Sequence, residues 1–326
     1  MREDWQILER QWLAPWASFS LESRGRQCPE PECPVRTCYQ RDRDRIIHTK
    51  AFRRLMHKAQ VFLNPKNEHF RTRLTHTLEL SQIARTVSRA LRLNEDLTEA
   101  ITLGHDLGHA PFGHAGERAL AELSPGFTHN RHSLRIVDHL EREHQGLNLS
   151  FEVRDGILYH SGDSGTPGTL EGAVVRMCDR IAYLNHDIDD AVRAGLIQSG
   201  DLPPAALYFG GSQSQRINSM VLDVVKESMG KPQVVMSGAA TEALGELRQF
   251  MFQQVYFHPQ KLAEEQQARK IIHTLYAYYV EHAQLLPAEF RRDALSQSVV
   301  DYIAGMTDQF AEEHYLSLFP GEKLLF

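Results

Sequence analysis

The sequence predicts an all-α protein on two observations: apolar residues recur at three- and four-residue steps through most of the chain, and alternating apolar and polar runs are scarce. Between Thr75 and Leu91, Leu80, Ile83, Ala84, Val87 and Leu91 form one face of an amphipathic helix, with His76 one turn before Leu80 on its inward edge. Asn94 is placed to cap the next helix. Glu95 and Asp96 fall in its first turn, where the helix dipole favours carboxylates. Leu97, Ala100, Ile101 and Gly104 then form a buried stripe that runs straight to His105. Pro111 stops this helical run, and Gly104, Gly108 and Gly113 allow close backbone approach around it. Further helices are predicted around 131–144, 170–194, 240–256, 261–284 and 293–313. GKPQVVMS at 230–237 is the one short strand candidate. The segments 22–38 (with Pro29, Pro31 and Pro34), 160–169 and 199–215 read as flexible.

With 326 residues, 42% of them apolar and 24% charged, the composition excludes the disordered, collagenous and membrane-spanning classes and allows a sizeable core. Thirty-six Lys and Arg stand against forty-two Asp and Glu, a net charge of −6, so no overall basic field points to nucleic acid. No stretch approaches the roughly 18 apolar residues of a membrane helix. The N-terminus, MREDWQILERQW, is charged and amphipathic rather than signal-like, and a cytoplasmic address is expected.

Cys28, Cys33 and Cys38 lie in QCPEPECPVRTC, a tract without the second ligand pair of a zinc knuckle. It reads as an exposed, partly polyproline arm with incidental thiols. Histidine is the unusual component. Thirteen of the seventeen fall between His48 and His186, although each buried imidazole must have its polar nitrogens satisfied. Packing alone gives no reason for such clustering.

Three predicted helices carry potential metal ligands: His76 on the first, the pair His105 and Asp106 at the end of the second, and Asp179 on the helix 170–194. Two imidazoles and two carboxylates suit a divalent transition ion such as Mn, Fe, Co, Ni or Zn, and suit Mg less well. At about 100° per residue, Asp179, Tyr183, His186, Asp187 and Asp190 gather opposite Val174, Met177, Ile181, Leu184 and Ile188. A solvated helix face is the ordinary reading of that polar stripe. An HD pair alone is too short to be specific, but HDLGHAPFGHAGE sets His105, His109 and His114 with Asp106 and Glu117 inside thirteen residues around a Pro and Gly break.

The segments YQRDRDRIIHTKAFRRLMHKAQVF, RTRLTHTLELSQIARTVSRAL, HDLGHAPFGHAGE, THNRHSLRIVDHL, CDRIAYLNHDIDDAVRAG and DYIAGMTDQFA resemble the bacterial dGTPase-like deoxynucleoside triphosphate triphosphohydrolases of the HD-domain superfamily. The resemblance runs in order from about Ser23 to Phe310. It implies an HD-domain helical bundle with a helical C-terminal extension: an arm at 1–40, a metal-binding core at 41–200 and a helical part at 201–326 packed on the same domain. It makes His76, His105, Asp106 and Asp179 ligands of a divalent ion, Mn foremost. His114 and Glu117 match the family's catalytic histidine and acidic residue, while His109 and His129 match histidines that approach the phosphates. Gln60 and Arg73 sit where relatives contact phosphate and sugar. Tyr183 and Asp187 match the pair that packs on the deoxyribose and receives its 3′-hydroxyl. Homo-oligomers, stimulation by nucleotides and binding of single-stranded DNA are implied in the same way. The cysteines of the N-terminal arm are a departure from the pattern.

The expected reaction is hydrolysis of a dNTP to deoxynucleoside and inorganic triphosphate. An anionic substrate needs a locally positive pocket, which Arg54, Lys58, Arg71, Arg73, a metal ion and protonated histidines would supply. Histidine, with an unperturbed pKa of about 6.5, suits the task of giving the leaving 5′-oxygen a proton, and that role falls to His114 held by Glu117. Two other readings compete: an HD-type phosphomonoesterase or phosphodiesterase, and a non-catalytic sensor of nucleotides or single-stranded DNA.

Overall fold

The computed structural model describes residues 1–63, 69–161 and 165–324. Helices α1 (Arg2–Trp12) and α2 (Cys38–Ile47) lead to α3 (Arg73–Ala90), the amphipathic stretch read from its apolar spacing. Its first turn is held by Thr72, whose hydroxyl accepts from the Thr75 amide. Helix α4 (Glu95–Gly104) is capped by Asn94, as expected, through a bond from the Leu97 amide to Asn94 Oδ1 at 3.2 Å. Then come α5 (Gly113–Leu123), α6 (His129–Arg135), α7 (Phe151–Tyr159) and the long α8 (Leu170–Arg193). The C-terminal part consists of α9 (Gln213–Ser228), α10 (Gly238–Met251), α11 (Pro259–Glu281), α12 (Leu295–Ala304) and α13 (Asp308–Leu318). Among the described residues there is no strand, only isolated bridges between Arg26 and Ser150 and between Ala59 and Thr72. None of the described helices is long and apolar enough to cross a membrane.

Three apolar clusters hold the helices together. Leu80 and Val87 of α3 join Ile181 and Leu184 of α8, Met220 of α9 and Leu247 of α10. Tyr39, Ile46, Leu97, Ile101, Val153 and Ile157 tie α2, α4 and α7. Leu120, Ile271, Val299, Ile303 and Tyr315 tie α5 to α11, α12 and α13. Each buried Leu or Ile stabilises by about 1.5–3 kcal/mol. Because α3 packs on both α4 and α8, the start of α3, the end of α4 and the middle of α8 are brought to one place.

Several local expectations are corrected. The strand candidate at 230–237 is extended but unpaired. Val234 and Met236 pack on the first cluster, while the Val235 amide donates to Ser228 Oγ at 3.0 Å instead of to a neighbouring strand. The helix expected at 131–144 ends early, with Arg142, Glu143 and His144 at φ of 52°, 56° and 69°. The helix expected at 293–313 is two helices, because Thr307 caps α13 after Gly305. The segment 22–38 is anchored: Arg26 donates to Asp42 at 2.5 Å, and Glu30 accepts from Arg45 at 2.7 Å. Part of the expected flexible stretch 160–169 lies outside the described residues, and its first residue, His160, is buried. The stretch 199–215 contains a short helix, Pro204–Phe209.

Candidate active site

Side-chain hydrogen bonds decide which nitrogen of each clustered imidazole faces the others. His105 follows α4, and its Nδ1 lies 2.6 Å from the Thr102 carbonyl oxygen, which accepts the ring N–H. Nε2 therefore carries the lone pair, and it is buried with no hydrogen-bond partner among the described residues. His76 is similarly oriented. His186 places Nε2 3.1 Å from Glu79 Oε2 and Nδ1 3.1 Å from His76 Nδ1. Burial and the neighbouring His76 and Arg71 push the His186 pKa down to about 2, so its neutral ring donates to Glu79 and accepts from His76. His76 Nε2 is then turned toward Asp179 Oδ1, 3.1 Å away.

Asp106 lies at the centre. Its Oδ1 is 3.4 Å from His105 Nε2 and 3.2 Å from His109 Nε2, and its Oδ2 accepts from Arg73 Nη1 at 2.8 Å. Burial alone would raise the Asp106 pKa, but His105, His109 and Arg73 hold it well below the usual range. Burial opposes Asp179 in the same way, and the His76 hydrogen bond with the His105 imidazole brings it to about 2. His76, despite burial, is shifted up by Asp179 and Asp106. These shifts have one cause: the cluster favours positive charge at its centre. Donor atoms of His76, His105 and Asp106 lie within 4.8 Å of one another, and Asp179 joins them through His76. The unpartnered, buried Nε2 of His105 and the mixed N/O donors fit a divalent transition metal.

A second group adjoins the first. Glu117, on α5, places Oε2 3.1 Å from His114 Nδ1 and Oε1 2.8 Å from His129 Nδ1. The His129 amide also donates to Oε1, at 2.7 Å. His129 Nε2 lies 3.1 Å from His160 Nε2, while His160 Nδ1 is 2.7 Å from the Ile157 carbonyl that accepts its N–H. Burial holds His160 neutral with a pKa of about 3, so its Nε2 accepts and both nitrogens of His129 donate. His129 is accordingly an imidazolium, raised against its burial by Glu117. His109 stacks on that ring at 4.0 Å between centroids and is driven neutral by burial, Arg73 and His129. The turn that brings α5 here needs glycine at 113: its φ is +60°, and a β-carbon would sit 3.0 Å from Arg73 Nη2.

The structure thus gathers His76, His105, Asp106, Asp179, His109, His114, Glu117, His129 and Arg73. Tyr183 lies one turn beyond Asp179, half-buried, and Asp187 one turn further. The polar stripe on α8 is not solvated: His186, Asp187 and Asp190 are all buried. Asp187 Oδ2 accepts from Tyr256 at 2.5 Å, Oδ1 is buried without a partner among the described residues, and burial pushes the carboxyl pKa up to about 7. Gln60 passes its backbone oxygen to Arg73 and leaves Oε1 buried and unpartnered among the described residues. Arg54 is half-buried against the C-terminal part, where a β-carbon at Gly305 would meet its guanidinium at 3.1 Å.

Two cations expected to attract phosphate are committed elsewhere. Arg71 is paired with Glu79, Asp189 and Asp190, and Lys58 donates to the carbonyls of His109 and Ala304. His160, Glu79 and Tyr256 escaped sequence reading, and His186 was read only as part of a solvated stripe. Their only local signal was being polar on otherwise apolar helical stretches. A surface groove of about 470 Å³ between Phe52, Leu78, Arg85 and Leu103 shares no residue with the cluster.

Residues 73–184 match the HD domain and residues 234–317 the phosphohydrolase-associated domain. A deoxyguanosinetriphosphate triphosphohydrolase-like protein of Caldanaerobacter subterraneus is 52% identical over 98% of this chain and 96% of its own. Proteins described in the same words from Desulfatibacillum aliphaticivorans and Clostridium perfringens are 46% and 44% identical, each over 98% of this chain and 98% and 97% of their own. The crystal structure of a phosphohydrolase from Bacteroides thetaiotaomicron superposes with a TM-score of 0.54 at 18% identity, covering 86% of this chain and 68% of that one, and so shares the fold. Identity of this extent over both whole lengths, on an HD core whose histidines and carboxylates converge, makes the chain a member of the deoxyguanosinetriphosphate triphosphohydrolase-like family of HD-superfamily phosphohydrolases.

Proposed function

We propose that the protein hydrolyses deoxynucleoside triphosphates to deoxynucleoside and inorganic triphosphate, with residues 41–200 as its metal-binding core. The observation that carries this reading is Glu117, whose two carboxylate oxygens hold His114 and His129 beside the proposed ligand set. His76, His105, Asp106 and Asp179 would hold the divalent ion, Mn foremost. When bound, such an ion supplies Lewis-acid chemistry, lowering the pKa of water and neutralising phosphate charge.

The side chains account for the rest. His129, held between Glu117 and His160 with its pKa raised by the Glu117 carboxylate, presents positive charge to the phosphates, and neutral His109 stacks behind it. His114 is 61% exposed and donates Nδ1–H to Glu117, which leaves Nε2 to face a substrate. A carboxylate behind an imidazole orients the ring and stabilises its charged form. Water attacks the α-phosphorus, the bond from phosphorus to the 5′-oxygen breaks, and His114 passes its proton to that oxygen. The proton released by the attacking water restores the pair. Asp187 Oδ1, buried and without a partner among the described residues, suits a sugar 3′-hydroxyl. Tyr183 beside it suits the C2′ face, where a ribose hydroxyl would not fit. Gln60 and Arg73 flank the phosphate and sugar side, and Arg54 adds positive charge at its margin.

Incubation of the purified protein with each dNTP and Mn, with products separated by ion exchange, tests the proposal. A triphosphate peak supports it. Orthophosphate or pyrophosphate would make the protein a phosphatase or phosphodiesterase, and nucleotide binding without any product would make it a sensor. Equal turnover of GTP and dGTP would refute the assignment of Tyr183. The same reading carries a cytoplasmic homo-oligomer that meets single-stranded DNA, which light scattering and gel shifts with oligonucleotides test.

A further inference from the structure

His139, His144 and Asp293 bring one donor atom each to within 4.8 Å of one another, although the first two belong to the end of the α6 region and the third to the loop before α12. His139 Nε2 lies 3.3 Å from Asp293 Oδ2, and the two imidazoles meet edge to face with centroids 5.1 Å apart. His144 is the telling member. Its Nε2 lies 2.5 Å from the Glu289 carbonyl oxygen, so that nitrogen carries the hydrogen and donates it. Nδ1 then holds the lone pair, and it is buried with no hydrogen-bond partner among the described residues. A metal-bound histidine shows this pattern: one nitrogen donates to a backbone carbonyl, and the other is left for the ion.

The surrounding charges leave room for a cation. Arg135 contacts Asp293 Oδ2 at 2.5 Å but is also paired with Asp301, through Nε at 2.9 Å and Nη2 at 2.6 Å, so its charge is compensated without Asp293. Backbone strain sets His144 in place. Arg142, Glu143 and His144 occupy the left-handed region in succession, a conformation that costs about 1–3 kcal/mol per residue and needs the surroundings to impose it. Arg292 Nη1 supplies one such restraint, donating to the Glu143 carbonyl at 2.8 Å.

We propose that His139, His144 and Asp293 form a second metal site, separate from the catalytic cluster, that takes zinc or a similar ion and staples the HD core to the C-terminal helices. Ligands in a tetrahedral site at about 2.0–2.1 Å from zinc stand about 3.3 Å apart, so modest side-chain rotation closes the group. The fourth position belongs to water. Binding replaces the bond between His139 and Asp293 and satisfies His144 Nδ1.

Equilibrium dialysis of the full-length chain against Zn(II) at neutral pH, with bound metal counted by mass spectrometry, tests the site. The wild type should bind one equivalent more than the His139→Ala/His144→Ala double variant. Asp293→Asn, which preserves shape, should weaken that equivalent by at least about tenfold. His105→Ala should lose a different equivalent and keep this one. Zinc should also raise the melting temperature of His105→Ala more than that of the triple variant His105→Ala/His139→Ala/His144→Ala. Equal zinc stoichiometry and affinity in the wild type, the double variant and Asp293→Asn would overturn the proposal.

Discussion

The two halves of the candidate active site are built differently. The side chains of His76, His105 and Asp106 are 1%, 1% and 5% exposed, and each imidazole is pinned by a hydrogen bond on the side away from the centre. His114, across the site, is 61% exposed and is held by a hydrogen bond to Glu117. Groups that hold an ion must be oriented before it arrives, because orienting them afterwards would subtract from affinity. A group that hands a proton to a substrate must be reachable. Under the proposed function, the sealed half is the binding element and the open half the proton-transfer element.

The largest expected effect tests the sealed half. His105→Ala or Asp106→Ala should abolish metal content and turnover together, measured by elemental analysis and steady-state assay. Full retention of both would break the comparison. His114→Ala should keep the metal and lose about 10²–10⁴-fold in kcat. If it loses the metal instead, the two halves are not separate elements. Arg73→Met removes the partner of a buried carboxylate and should cost about 3–5 kcal/mol in denaturant unfolding of the metal-free protein. His186→Ala frees the His76 ring and should weaken metal binding about 10–100-fold while the fold persists.

The last effect depends on pH and concerns the support beneath the open half. Lys58 is fully buried under the His109 carbonyl, and burial brings its pKa down to about 7. Between pH 7 and about 10 the unfolded chain holds that proton while the folded chain releases it, so stability rises with pH by up to about 1.4 kcal/mol per unit. Below pH 7 both states are protonated, and the penalty is constant. The difference in unfolding free energy between wild type and Lys58→Met should shift toward the wild type across that window. A flat difference would mean that the two carbonyls and Asp308 keep Lys58 charged.

The match between sequence and structure follows the range of the interactions. The helix from Arg73, the Asn94 cap and the glycine break after His105 were legible because periodicity and capping act within a few residues. Helices α2, α5, α7 and α9 were not anticipated, and His160 was assigned to a flexible stretch, because only packing against distant helices distinguishes such segments. The polar face of α8 looked solvated because nothing local reveals that Tyr256 and Arg71 cover it.

By itself, the sequence determined an all-helical chain and the residue types able to bind a divalent ion, since helical spacing and ligand chemistry are properties of short segments. The tertiary structure alone decided which nitrogen of each imidazole faces inward and which histidine is charged. Those outcomes depend on partners such as His186 for His76 and Glu117 for His129, 110 and 12 residues away, whose effect on a proton exists only once folding has excluded water from between them.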